Sequence, residues 1–334
     1  MDLQAARELK SRLFAGVRAA SVDPERPAAP REFAVGIARR SGGAYAVAIR
    51  LRDDLPDDGA LAQLAAASPE DLEVRTVGEI RPQTVPGPRD LQSRQRPVYP
   101  GVSVGHPDVT AGTLGGFVSY DGRLHILSNS HVLAGSGRAA VGDDSLQPGV
   151  ADGGDPAADV IGTLSVAAPF STEAPNLVDA AISALADGIE AEPDRYPGGA
   201  LTGVVADPPV DGRVEKVGRT TGHTTGRVTA FEVDGITVQY DVGVLTFDNQ
   251  IEIEGDGDLP FSDGGDSGSV IWTSDGRGAL GLLFAGSTTG GSDGLGLTYA
   301  NPLAVVLEEL GASWAGGSTG DSAPAEPEPD RPAT

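Results

Sequence analysis

Apolar residues at Leu9, Leu13, Phe14 and Val17 recur every three or four positions, and this spacing predicts an amphipathic helix over Leu3–Ala20. A proline-rich stretch at 21–31 reads as a linker. The pattern then shortens. Residues 33–38 and 44–51 read as two strands paired around Ser41-Gly42-Gly43, residues 59–67 as a short alanine- and leucine-rich helix, and residues 72–80 as a third strand. Together these predict a small α/β domain over residues 1–80. Residues 81–100 are rich in proline, arginine and glutamine and read as an exposed linker, which is also a candidate cleavage site.

From Gly101 onward the chain becomes a series of short strands separated by Gly and Asp turns. Residues 112–118 and 124–127 bracket the turn at Asp121-Gly122. The next segment, Ser128-Asn129-Ser130-His131-Val132-Leu133, ends a strand with a histidine and then turns apolar again. A second set of strands runs from Val214 through 228–230, 236–240, 270–273 and 280–285. Apolar positions at Leu303, Val306, Leu307 and Leu310 put a terminal helix over 301–310. The Gly, Ser, Pro and Glu composition of residues 315–334 predicts a disordered tail. The chain is therefore expected to be mainly β, in two halves at 101–208 and 209–314 that fit a double barrel.

Composition narrows the function classes. The net charge is −24, from 48 acidic and 24 basic residues, so a polyanion would be repelled and nucleic acid is not an expected partner. There is no cysteine, which excludes disulfides. No window has the apolar length of a membrane span, so no membrane partner is expected. The first fourteen residues carry Asp2, Arg7, Glu8, Lys10 and Arg12 and lack the apolar core of an export signal. Cytoplasmic residence is the default expectation, with non-classical export left open.

One stretch carries chemistry. In Gly264-Gly265-Asp266-Ser267-Gly268-Ser269 a serine is flanked by glycines in a tight loop, an arrangement that exposes a hydroxyl beside free backbone N–H groups. The N–H groups of Gly265 and Ser267 are the candidate oxyanion donors. Serine is a poor nucleophile alone and needs a histidine base with an acid to orient it. His131 is the candidate base. Asp179, followed by Ala180-Ala181-Ile182, is the candidate orienting acid, because an acid leading into an apolar strand suits a buried carboxylate. Asp159 and Asp187 are rivals for that role. The order His, Asp, Ser is that of the chymotrypsin arrangement, whereas an α/β-hydrolase runs Ser, Asp, His with its serine at a strand–helix elbow.

Lys216-Val217-Gly218-Arg219-Thr220-Thr221-Gly222 followed by Gly226, Gly265-Asp266-Ser267-Gly268, and Trp272-Thr273-Ser274-Asp275-Gly276 resemble segments of the bacterial chymotrypsin-fold serine peptidases. The streptogrisin and α-lytic protease group is the nearest match, and Ser128 to Leu133 is similar to that group's base-bearing strand end. The resemblance covers roughly residues 112–310. It implies a chymotrypsin-like double β-barrel with a C-terminal helix, preceded here by the small N-terminal α/β domain. It also implies His131 as general base, Asp179 as orienter, Ser267 as nucleophile, and no metal or cofactor. Three departures stand out. Export signal and disulfides are both missing, Ser269 replaces a second glycine, and Phe284 stands where the group has a serine beside the buried acid. Phe261, Phe284, Ala285 and Gly286 are the candidate substrate-binding residues; with Phe261 in place of a charged pocket base, small or apolar side chains are favoured over Arg or Lys.

The expected function is a serine endopeptidase acting on peptide or protein substrates through an acyl-enzyme, with the N-terminal domain as a gate or a surface for a regulatory partner. A non-catalytic peptide-binding scaffold and an esterase using the same triad are the rival readings. Other motifs carry less. Asp266 is a candidate partner for a cation, or a solvated loop acid. Arg219-Thr220-Thr221-Gly222-His223 lacks the Gly-Lys-Ser/Thr of a phosphate loop, and His223 reads as an exposed loop histidine. His106 and His125 have no metal-ligand spacing, and the acidic run from Glu252 to Asp258 fails the calcium-loop spacing.

Overall fold

The computed structural model describes residues 1–20, 33–40, 42–52, 70–81, 89–208, 212–256, 259–287, 289–292 and 294–317. Helix α1 (Leu3–Ala20) starts where Asp2 Oδ1 accepts the Ala5 N–H at 2.8 Å, an N-terminal cap. Its Leu9, Leu13 and Phe14 cover Val35, Val47, Ile49, Leu51 and Leu72. Those five residues belong to β1 (Phe33–Arg39), β2 (Tyr45–Leu51) and β3 (Leu72–Thr76). The first two form an antiparallel hairpin in register Arg39↔Tyr45, while β3 runs parallel to β2. The helix expected over 59–67 lies outside the described residues.

The third strand is shorter than the pattern suggested. Gly78, at φ +70°, breaks it, and the chain resumes as a separate two-residue strand, β4 (Ile80–Arg81). The reading of 81–100 as an exposed linker is corrected over its second half, while residues 82–88 lie outside the described residues. Arg89–Gln92 form a short helix, α2. Val98 and Tyr99 are buried in the core of the first β-rich half. Gln147 fixes the approach by accepting the Gln95 N–H at 2.8 Å.

The first half begins with the pair β5 (Ser103–Val104) and β6 (Gly112–Thr113). A sheet follows, made of β7 (Gly116–Tyr120), β8 (Arg123–Ser128), β9 (Asp144–Leu146), β10 (Val160–Ala167) and β11 (Ala181–Leu185). Its order is β7-β8-β11-β10-β9, and a bridge from Gly105 to Leu146 curls β9 back toward β5. Alternate residues such as Phe117, Ile126, Ile161 and Leu164 point inward. Between β8 and β9, Ser130–Leu133 form one helical turn, α3.

The second half is a closed barrel. Its strands are β12 (Arg213–Gly218), the long β13 (Gly222–Asp234), β16 (Gln250–Gly255), β17 (Val270–Thr273), β18 (Ala279–Ser287) and β19 (Thr298–Pro302). Antiparallel pairing runs β12-β13-β16-β19-β18-β17 and back to β12. Val214, Ile253, Ile271 and Leu280 fill it. Between β13 and β16 the chain makes a hairpin, β14 (Ile236–Tyr240) with β15 (Gly243–Phe247). Helix α4 (Leu303–Leu310) buries Leu303, Val306 and Leu310 and ends at Gly311 in the left-handed region, φ +62°. It begins two residues later than the pattern suggested because Asn301 and Pro302 still belong to β19.

The chain is a double β-barrel of the chymotrypsin type, and two of its boundaries differ from the expected ones. After α4, β20 (Ser313–Trp314) crosses back to pair with β7, so a strand from the end of the second half adds to the sheet of the first. The N-terminal strands extend the second barrel's sheet, with β1 pairing antiparallel to the far end of β13. That joint is charged and dry. Arg50 Nε and Nη2 meet Glu252 at 2.7 and 2.8 Å, with both side chains fully buried, and Arg50 also bonds Glu73. Burial raises the cost of the Glu252 charge, yet Arg50 and the Thr229 hydroxyl hold its carboxyl below the usual glutamate range. Among the described residues no helix is long and apolar enough to cross a membrane.

Candidate active site

The site lies where the barrels meet. His131 comes from α3 just after β8, Asp179 from the segment entering β11, and Ser267 from the loop before β17. The imidazole Nδ1 lies 2.5 Å from Asp179 Oδ2, and Asp179 Oδ1 accepts the His131 backbone N–H at 3.1 Å. With Nδ1–H donating to the carboxylate, Nε2 keeps its lone pair free. Asp179 is wholly buried, and the His131 side chain is 13% exposed.

The backbone around the acid is fixed as well. Asn129 Nδ2 donates to the Asp179 carbonyl at 2.6 Å, and the Asp179 N–H donates to Asn301 Oδ1 at 3.0 Å. Asn301 in turn donates to Gln250 Oε1 at 2.6 Å, so β16 and β19 of the second barrel hold an acid carried by the first. The two rival acids are elsewhere. Asp159 pairs with Arg94 at 2.9 Å, and Asp187 is fully exposed, 3.8 Å from Arg123.

The nucleophile loop is built on Asp266, which has no exposure. Its Oδ1 accepts the N–H groups of Thr220 and Thr221 at 2.9 and 3.1 Å. Oδ2 takes the Thr221 hydroxyl at 2.6 Å and the Asp263 N–H at 3.0 Å, and lies 3.2 Å from Lys216 Nζ. The cation left open by the sequence is thus Lys216. Burial lowers the pKa of this ammonium, with Asp266 opposing that shift. Thr113 of the first barrel clamps the same loop. Its hydroxyl donates to the Gly265 carbonyl and its N–H to the Ser267 carbonyl, both at 2.8 Å. Its own carbonyl accepts Ser128 Oγ, three residues before His131.

Two glycines are required here. Gly265 has φ +93°, and a Cβ there would lie 2.3 Å from Arg219 Nη1. At Gly268, φ +95°, a Cβ would lie 2.1 Å from Ser128 Oγ. With the loop folded this way, the Gly265 and Ser267 N–H groups have no hydrogen-bond partner among the described residues, as oxyanion donors should not. Ser267 Oγ and His131 Nε2 likewise make no hydrogen bond among the described residues. Nucleophile and base often lie too far apart to bond without substrate and draw together when it binds.

The candidate substrate-binding residues divide. Phe261 is corrected: it is 2% exposed inside the second barrel, packed with Ile251, Ile253 and Ile271, and offers a substrate no surface. Phe284 and Ala285 are buried too, with the Phe284 ring 4.8 Å from Phe247. Both side chains pack into the aromatic cluster with Tyr240 and Phe247 rather than facing outward. What β18 presents beside the nucleophile is backbone: Gly268 N–H bonds the Leu283 carbonyl at 2.8 Å, and the strand runs on through Gly286.

Tyr240 was not read as a functional residue. Its hydroxyl donates to Asp179 Oδ2 at 2.8 Å, from the end of β14. The signal was indirect. A phenylalanine at 284 removes one hydroxyl from the acid's neighbourhood, which invites a search for another. The remaining histidines lie outside the His131–Asp179 pair. His223 is on strand β13 rather than in a loop, 2.7 Å from Glu215 and stacked on Trp272. His125 bonds the Arg123 carbonyl and Ser165, and His106 faces Asp143. Among the described residues no cluster of three His, Asp or Glu side chains is arranged to hold a metal.

No protein-family model matches the chain, and no curated protein matches it in sequence. Solved structures of bacterial chymotrypsin-fold serine proteases do match. Thermobifida fusca protease A is 18% identical, covering 65% of this chain and 97% of that one, with a TM-score of 0.45. A glutamic acid-specific serine protease is 21% identical, covering 65% and 100%, at 0.46. Cellulomonas bogoriensis chymotrypsin is 20% identical, covering 65% and 97%, at 0.43.

Proposed function

We propose that the chain is a serine endopeptidase. The observation that carries this reading is the buried Asp179 carboxylate on His131 Nδ1, together with a serine loop whose Gly265 and Ser267 N–H groups have no hydrogen-bond partner among the described residues. In the reaction His131 Nε2 takes the Ser267 proton as Oγ adds to the substrate carbonyl, and the N–H groups of Gly265 and Ser267 receive the oxyanion. The imidazolium then gives that proton to the departing amine, leaving an acyl-enzyme. Water, deprotonated by the same imidazole, releases the acid. Substrate adds as an antiparallel strand along β18, and the filled space around Phe284 favours a small residue before the scissile bond. The test is hydrolysis of a peptide panel by the full chain and by Ser267→Ala. Turnover that vanishes in the variant is expected; equal turnover in both rejects the proposal.

The same reading gives the N-terminal region a role as gate. Arg81 of β4 pairs with Gly286 and Ile80 with Ser287, so the chain's own strand takes the end of β18 that a longer substrate would need. Peptides reaching beyond about two residues on the acyl side compete with β4 for that edge.

A further inference from the structure

We propose that Tyr240 is a positioning residue, whose hydroxyl holds the Asp179 carboxylate in the orientation that His131 requires. This rests on the reading of His131 and Asp179 as the base and orienter of Ser267. Asp179 Oδ2 accepts two bonds, from His131 Nδ1 at 2.5 Å and from the Tyr240 hydroxyl at 2.8 Å. Oδ1 accepts the His131 backbone N–H. Among the described residues, with the tyrosine hydroxyl removed, the donors left to this fully buried carboxylate all belong to His131.

β18 carries a phenylalanine at 284, which has no hydroxyl to offer, and the second donor is on another element. It comes from β14, at the mouth of the hairpin between β13 and β16. The ring is clamped by aromatic neighbours, with Phe170 at 5.4 Å and Phe247 at 6.1 Å between ring centres, and Phe284 stacks behind Phe247 at 4.8 Å. One aromatic cluster therefore braces the tyrosine that bonds the acid. The phenol stays a donor at all working pH values, because burial and the adjacent Asp179 charge push its ionisation well above the usual tyrosine range. β14 also pairs with β4, at Val238↔Ile80, two residues from Tyr240, so the N-terminal region borders the strand that sets the acid.

The test compares the full chain with Tyr240→Phe, which keeps the ring and removes only the oxygen. Two quantities are read: the low-field proton resonance of the His131–Asp179 bond, and the rate at which a fluorophosphonate labels Ser267. A downfield shift is expected, since Oδ2 loses a competing donor, together with a roughly tenfold to hundredfold slower labelling, the scale of one hydrogen bond to a charged group. Incorporating 3-fluorotyrosine at position 240 keeps the bond with a stronger donor and should move the resonance upfield, which guards against a Phe variant that folds poorly. An unmoved resonance, or unchanged labelling in a chain whose Ser267 does react, overturns the inference. A shifted resonance in a chain that never labels supports positioning by Tyr240 and removes the enzymatic reading instead.

Discussion

At the scale of single residues, the site depends on which hydrogen bonds a carboxylate can accept. Asp179 is buried with three donors on its two oxygens, and an amide in its place would turn one acceptor into a donor. Asp179→Asn should therefore leave the imidazole in the wrong tautomer and lower acylation of Ser267 by about 10⁴-fold, measured by stopped-flow on an activated ester. A loss under tenfold would mean that His131 does not depend on this acid. The meeting of His131 with Asp179 was legible in the sequence from local context, a strand end and an acid before an apolar run, and the glycine-flanked serine marked the loop at 267. Tyr240 was not legible, since its partner lies 61 positions away and joins it only through the barrel. Phe261 was misread for the opposite reason. Its nearness to Ser267 in the chain suggested the cleft, but the segment between β16 and β17 turns it into the barrel core.

At the scale of elements, strand periodicity was readable for part of the chain, with β9, β10, β15, β16 and β19 not located, and pairing was not readable. The pattern located β1, β2, β14 and β17 closely, yet nothing in it says that β1 joins β13 or that β4 slips between β14 and β18. These contacts are backbone bonds between distant strands, to which side-chain periodicity is blind. β4 makes a prediction at this scale. Ile80 is 8% exposed within the aromatic and aliphatic cluster around Phe284 and Tyr240, so Ile80→Glu places a charge where it cannot be solvated and should expel the strand. Peptides with long acyl sides should then gain in kcat/KM relative to short ones. An unchanged ratio between the two would show that β4 does not compete with substrate.

At the scale of the whole molecule, the N-terminal region is joined to the second barrel by a buried ion pair and a shared sheet. Among the described residues its own apolar cluster has five buried residues under α1, and it is also held through β13 and Glu252. Replacing Glu252 by Gln leaves the Arg50 guanidinium without its fully buried partner, and unfolding in urea should show a loss of about 3–5 kcal/mol. The sign with pH follows from the lowered carboxyl. Its contribution is complete above the unfolded glutamate value of about 4.3 and fades as pH falls through the lower folded value. Glu252→Gln should flatten that acid limb. A variant as stable as the unaltered chain, with the same acid limb, would rule out the ion pair as the joint.

The central claim, that Ser267 is an activated nucleophile, is tested most directly by exposing the full chain to a fluorophosphonate and locating the modified peptide by mass spectrometry. A small probe needs only the nucleophile, the base and the two N–H groups, and it does not require the β18 edge that β4 covers. The account predicts one label per chain, on Ser267, and none in His131→Ala. An unlabelled Ser267 in a folded chain would contradict it and leave a protease-like scaffold that binds peptides without cutting them.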